Sequence, residues 1–102
     1  MKFFIYQMYD AELEAFTITN VLDATPEQMQ YSCKAASVKK PETLVGKDHC
    51  LLFLAGEVDS ISGNIVVYDK KEVVFDYTQA CQGAIEKQKA LAKEVTENVQ
   101  AS

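Results

Sequence analysis

The sequence predicts one α+β domain: an antiparallel sheet of four to five strands in ββαββ(β)α order, with the helices packed on one face. Three observations carry this. Residues 2–22 and 50–68 each read as an apolar or alternating run, an acidic connection and a second run. A helix-start signal follows the first pair at Thr25-Pro26-Glu27-Gln28. Near the end of the chain, apolar residues recur at a spacing between three and four.

The elements follow in order. Residues 2–9 carry Phe3, Phe4, Ile5, Tyr6, Met8 and Tyr9, the aromatic and β-branched weight of a strand. Tyr9 to Glu14 is a polar connection. Residues 15–22 alternate, with Phe16, Ile18 and Asn20 on one face and Thr17, Thr19 and Val21 on the other. The two strands form the first hairpin. Thr25 can then cap a helix, Pro26 suits its first position, and Gln28 stands where a capping box needs it. This helix runs to about Val38, with Met29, Cys33 and Ala36 as its apolar stripe. Lys39-Lys40-Pro41 ends it, because proline disfavours helix in the residue before it.

Residues 41–48 read as a polar loop. Cys50 to Ala55 is the next strand, Gly56-Glu57-Val58-Asp59 leads into a turn ending in Gly63, and Ile65 to Tyr68 returns. Gly63 suits a positive-φ position. Gly56 within a strand suits a bulge, or a helix packing closely there. Asp10 and Asp59 are expected to hold their turns by accepting backbone N–H bonds. Lys70-Lys71 reads as a turn before a short edge strand, Glu72 to Tyr77, whose lysines would discourage stray pairing. Asp76 or Thr78 can cap a last helix over 79–99, and its end, residues 90–102, is expected either to fray or to join two copies as a homodimer. Residue 4 placed on residue 53 aligns Phe4 with Phe53, Asp10 with Asp59, Ile18 with Val67 and Ala35 with Ala84, a weak internal echo.

Composition limits the function. The chain has 102 residues, enough for one domain, is 48% hydrophobic and 25% charged, and carries a net charge of −5. All ten basic residues are lysine. Without arginine to fork onto guanine or phosphate, tight duplex reading is disfavoured, whereas single-strand binding by a lysine patch and aromatic stacking stays open. Three cysteines with no C-x-x-C pair, and no export signal, point to reduced thiols in a cytoplasm. No window approaches the roughly 20 apolar residues of a membrane span.

Few residues offer chemistry. His49 and Cys50 are neighbours, but successive strand residues point to opposite faces, so they cannot meet as base and nucleophile. The acidic groups Asp10, Glu12, Glu14, Glu57 and Asp59 match no calcium loop and read as solvated turns. No phosphate-loop or dinucleotide glycine motif occurs, so no cofactor, metal or catalytic residue is assigned. The nucleic-acid candidates are Lys34, Lys39, Lys40 and Lys47 around the end of the first helix. Tyr6, Tyr68 and Tyr77 join them, because tyrosine tolerates a wet sheet face. The plainer alternative is that such lysines complement the helix dipole and that the aromatics pack.

Two blocks carry a resemblance. The first is Ile5-Tyr6-Gln7-Met8-Tyr9-Asp10-Ala11-Glu12-Leu13-Glu14-Ala15-Phe16. The second is Asp48 to Leu54 followed by Gly56-Glu57-Val58-Asp59 and Gly63. In these the chain resembles the small nonstructural proteins of gokushovirus-type microviruses, phages with circular single-stranded DNA. The resemblance implies a non-virion protein in the host cell cytoplasm, and the lack of a catalytic constellation makes a non-enzymatic role the expectation. It also implies binding of single-stranded DNA between genome replication and packaging. The alternative is an adaptor that contacts viral or host proteins through a sheet edge or the long helix.

Overall fold

The computed structural model describes residues 1–83 and 86 of the chain. Strands β1 (Lys2–Asp10) and β2 (Ala15–Leu22) form a hairpin, and helix α1 (Pro26–Lys39) follows. A 3-10 turn (Pro41–Leu44) leads to β3 (Cys50–Asp59) and β4 (Ile65–Asp76). Residues 77–83 are helical and open a second helix, α2. The sheet has the order β2-β1-β3-β4, and every pairing is antiparallel. The expected α+β class and helix positions hold. The expected course of α2 to residue 99, the homodimer contact at 90–102 and Ala84 of the internal echo lie outside the described residues.

Local signals acted as expected in several places. Thr25 accepts from the Gln28 backbone N–H, and the Gln28 side chain accepts from the Thr25 N–H, so the capping box is closed. At the other end of α1 the Lys40 N–H returns to the Ala36 carbonyl, and Pro41 starts the 3-10 turn. Asp76 caps α2 by accepting from the Gln79 N–H at 3.2 Å. The Thr78 hydroxyl instead donates to the Asp48 carbonyl.

Three expectations are corrected. The stretch 41–48 is not wholly a polar loop, because Leu44 enters the core from the 3-10 turn. Lys70-Lys71 does not turn the chain, and among the described residues there is no separate fifth strand: β4 runs unbroken for 12 residues. Pairing jumps from Leu54↔Glu72 to Gly56↔Val67, so residues 68–71 bulge outward opposite Ala55. The charged pair breaks the alternation without ending the strand. A second shift leaves Val74 between the pairs Leu52↔Phe75 and Phe53↔Val73. Finally, Phe16 and Ile18 do not share a face. A bulge at Thr17 separates Met8↔Ile18 from Tyr9↔Phe16, which puts Phe16 with Thr19 and Val21 and leaves Ile18 with Asn20.

The core lies between the sheet and the helices. Tyr6, Leu44, Cys50, Leu52, Leu54, Val74 and Tyr77 form one buried cluster, with Phe4, Met8, Met29, Cys33, Ala80 and Cys81 packed against it. Even-numbered residues of β1 therefore face the helices, and odd-numbered ones face away. Each buried leucine contributes about 1.5–3 kcal/mol relative to exposure. Gly56 sits where β3 presses on β4, and a side chain there would run into the Val66 carbonyl oxygen.

The two hairpin turns share one design. Asp10 Oδ1 accepts from the N–H groups of Glu12 and Leu13, at 2.9 and 3.2 Å. Asp59 Oδ1 accepts from Ile61 and Ser62, at 2.9 and 3.3 Å. Each turn then closes through a left-handed residue, Glu14 at φ 52° and Gly63 at φ 74°. These backbone donors hold the Asp59 carboxyl below its ordinary range. Inner strands β1 and β3 lie side by side and outer strands β2 and β4 flank them, the arrangement that an approximate two-fold axis between the hairpins produces.

Candidate functional site

The three tyrosines expected on a wet face lie on the covered one. Tyr6 is 1% exposed, and its hydroxyl donates to the Ala24 carbonyl at 2.6 Å, tying the β2–α1 connection to the sheet centre. Burial, and after it the Cys33 thiol, pushes the Tyr6 hydroxyl up to about 12. Tyr77 is buried, edge-on to Phe75, with its hydroxyl 3.7 Å from Cys33 Sγ. Its hydroxyl is also raised, first by burial and then by that contact. Tyr68 is half-buried and donates to Glu57 Oε2 at 3.1 Å, the oxygen that also faces Lys2 Nζ at 3.4 Å. None of the three presents a free ring to a base. The even parity of Tyr6 on β1 and the opening of a helix at Tyr77 put both under α1 and α2.

The candidate lysines separate. Lys47 is half-buried, with Nζ 5.1 Å from the Tyr77 ring centroid, where it helps to close the core. Lys34, Lys39 and Lys40 are exposed on α1 and at its C-terminal end. They share the helix-bearing side of the sheet, with the buried tyrosines beneath rather than beside them.

The other face of the sheet carries no described helix. Rows of paired residues cross it: Thr19–Gln7–Phe53–Val73, Phe16–Tyr9–Leu51, and Val21–Ile5–Gly56–Val67. At one end Tyr9, Phe16 and Phe53 form an aromatic cluster. Ring centroids lie 5.0 Å apart for Tyr9–Phe16, 6.3 Å for Tyr9–Phe53 and 6.0 Å for Phe16–Phe53. The tilted and edge-on contacts fix the rings against each other and leave them partly open, Phe16 at 45% exposure.

Lys71 completes this cluster. Its Nζ sits 3.8 Å from the Phe16 centroid and donates to Gln7 Oε1 at 2.6 Å, while Gln7 Nε2 donates to Thr19 Oγ1 at 3.3 Å. Among the described residues no carboxylate comes within ion-pair distance of Lys71. A cation held over rings without a counter-ion attracts an anion delivered by a ligand. Sequence reasoning passed over this group for two reasons. The Thr17 bulge moved Phe16 onto the face of Tyr9, and the β4 bulge kept Lys71 in the sheet instead of in a turn.

Elsewhere the titratable groups are accounted for locally. His49 Nε2 faces Glu12 Oε2 at 3.3 Å and Asp48 Oδ2 at 3.2 Å, while Cys50 beside it is buried. Burial first, and then Asp10, raises the Cys50 thiol; burial first raises that of Cys81. Both are thereby held protonated, the opposite of a thiolate nucleophile. Among the described residues no three His, Cys, Asp or Glu side chains converge to hold a metal, and no helix is long and apolar enough to cross a membrane.

Fold and surface together define a four-stranded antiparallel α+β domain with one face under helices and one aromatic face that no helix covers among the described residues. No family model, curated protein or solved structure matches the chain.

Proposed function

We propose that this is a non-enzymatic phage nonstructural protein that binds single-stranded DNA during genome replication or packaging. The uncovered sheet face is the binding surface in this reading, and the lysines around the end of α1 are not. The observation that carries it is the cluster of Tyr9, Phe16 and Phe53 under Lys71, which has no carboxylate partner among the described residues. Aromatic rings on an open sheet stack on any base, and a neighbouring cation meets the phosphate. Gln7 and Thr19 add polar edges beside the rings. The resemblance to gokushovirus-type nonstructural proteins supports the same reading. In it the protein works in the host cell cytoplasm, where the unpaired Cys33, Cys50 and Cys81 persist as thiols.

With a net charge of −5 and one lysine at the cluster, affinity is modest and depends little on salt. The expected slope is about −0.7 in log K per log salt, the value for one phosphate contact on a single strand. The test titrates labelled single-stranded DNA at two salt concentrations. Binding in the micromolar range is expected, with loss in Lys71→Ala and in Phe16→Leu, which keeps apolar bulk but has no π face. The Lys39→Ala plus Lys40→Ala variant is expected to keep it. No binding at micromolar protein and low salt overturns the reading. Loss only in the Lys39 and Lys40 variant transfers the site to α1.

A protein-binding adaptor is the second reading. It is favoured by apolar side chains exposed on both edge strands, among them Ile18, Val21, Ile65 and Val67.

A further inference from the structure

The two edges of the sheet are built differently. Outer strand β4 carries Asp69, Lys70, Lys71 and Glu72 in its middle, and two register shifts bend it there. Charge and bulges of this kind block the approach of another strand. Outer strand β2 reads Ala-Phe-Thr-Ile-Thr-Asn-Val-Leu, with no charge, proline or glycine, and all eight residues are exposed. Its only irregularity is the bulge at Thr17, near one end. From Ile18 to Leu22 it presents a row of backbone N–H and C=O groups that no strand pairs among the described residues, with Ile18 and Leu22 beside Asn20 on one face and Thr19 and Val21 on the other.

We infer that two copies of the chain pair antiparallel through β2, joining their sheets edge to edge. The second copy fits for two reasons. The strand is uncharged, so two chains of net charge −5 meet here without local repulsion. It is also self-complementary across a two-fold axis. Paired residues must share a face of the joined sheet, and the Thr17 bulge confines pairing to residues 18–22. Centring the axis on Asn20 satisfies both conditions. Ile18 then lies opposite Leu22 of the second copy, Thr19 opposite Val21, and Asn20 opposite Asn20. The apolar pairs Ile18–Leu22 occur twice on the helix-bearing side, and the two Asn20 amides meet at the axis, where each can donate to the other.

The joined sheet would have eight strands and one continuous uncovered face. Phe16 lies near the start of β2 on the face of Tyr9, so the joined sheet carries an aromatic cluster from each copy on that same face. Pairing through one short strand is a small interface, and a weak, concentration-dependent dimer is expected. The inference does not depend on the DNA-binding reading, because the test contains no nucleic acid.

The experiment measures the mass of the full chain by sedimentation equilibrium from low-micromolar to near-millimolar concentration. The expected result is a shift from one copy to two. Asn20→Lys places two like charges opposite each other at the axis and is expected to raise the dissociation constant roughly fivefold. Asn20→Glu does the same, and an equimolar mixture of the two variants regains the two-copy mass as a mixed dimer. Asn20 is exposed, and circular dichroism checks that each variant keeps the fold. A one-copy mass at every concentration overturns the inference. A dimer untouched by Asn20→Lys does so as well, as does a mixture that stays monomeric.

Discussion

The first hairpin and the second share a turn and differ in their outer strands. Both turns hang on an aspartate that accepts two backbone N–H bonds, and both close through a left-handed residue. Both inner strands supply the core, where Tyr6 of β1 is paired with Leu54 of β3. The outer strands part company. β4 is long, charged and twice bulged, and α1 packs against it, whereas β2 is short, uncharged and exposed along its whole length. Shared turn chemistry thus makes two similar units, and what each outer strand touches makes them unequal.

Breaking the shared core should have the largest effect. Leu54→Ala leaves a hole beside Tyr6 and is expected to cost about 2–5 kcal/mol, read from the midpoint of urea unfolding. An unchanged midpoint would show that the two halves do not meet in one core. Tyr6→Phe removes only the hydroxyl bond to Ala24, an expected cost of about 1 kcal/mol.

This second variant also has a pH signature. The folded Tyr6 hydroxyl ionises near 12, above its ordinary value of 10. Its contribution to stability is therefore whole below the unfolded value and is lost as pH rises through the folded one. The wild-type chain should lose stability relative to Tyr6→Phe between pH 10 and 12. Parallel alkaline unfolding curves for the two proteins would contradict the assignment.

The smallest effect sharpens the comparison instead of breaking it. Glu14 holds, at φ 52°, the conformation that Gly63 holds at φ 74° in the other turn. Glu14→Gly relieves a side chain from a left-handed position and is expected to stabilise the chain by about 0.5–1 kcal/mol. The reverse change, Gly63→Glu, should cost a similar amount. A destabilised Glu14→Gly would mean that the two turns are less alike than their hydrogen bonds indicate.

Much of the fold was legible because its signals are local. Thr25, Pro26 and Gln28 fix the start of α1, Asp10 and Asp59 fix the turns, and Gly63 stands where φ is positive. The uncovered face was not legible, because alternation is counted along one strand and bulges are decided between strands. One extra residue at Thr17 reverses the face of Phe16, and the bulge at 68–71 keeps Lys71 within the sheet. Tyrosine chemistry misled in the opposite direction. A hydroxyl permits a wet position without requiring one, and Tyr6 satisfies its own at the Ala24 carbonyl inside the fold.

The seam between β1 and β3 has a kinetic meaning. Each hairpin closes through a short turn, so its strands find each other quickly. The seam joins residues far apart in the chain, and its loop must close before any of its pairs form. The halves are therefore expected to zip first and dock second, with Tyr6 and Leu54 ordering late. Until docking, β1 and β3 are themselves raw edges, and the molecule is most exposed to wrong partners at the strands that end up most protected.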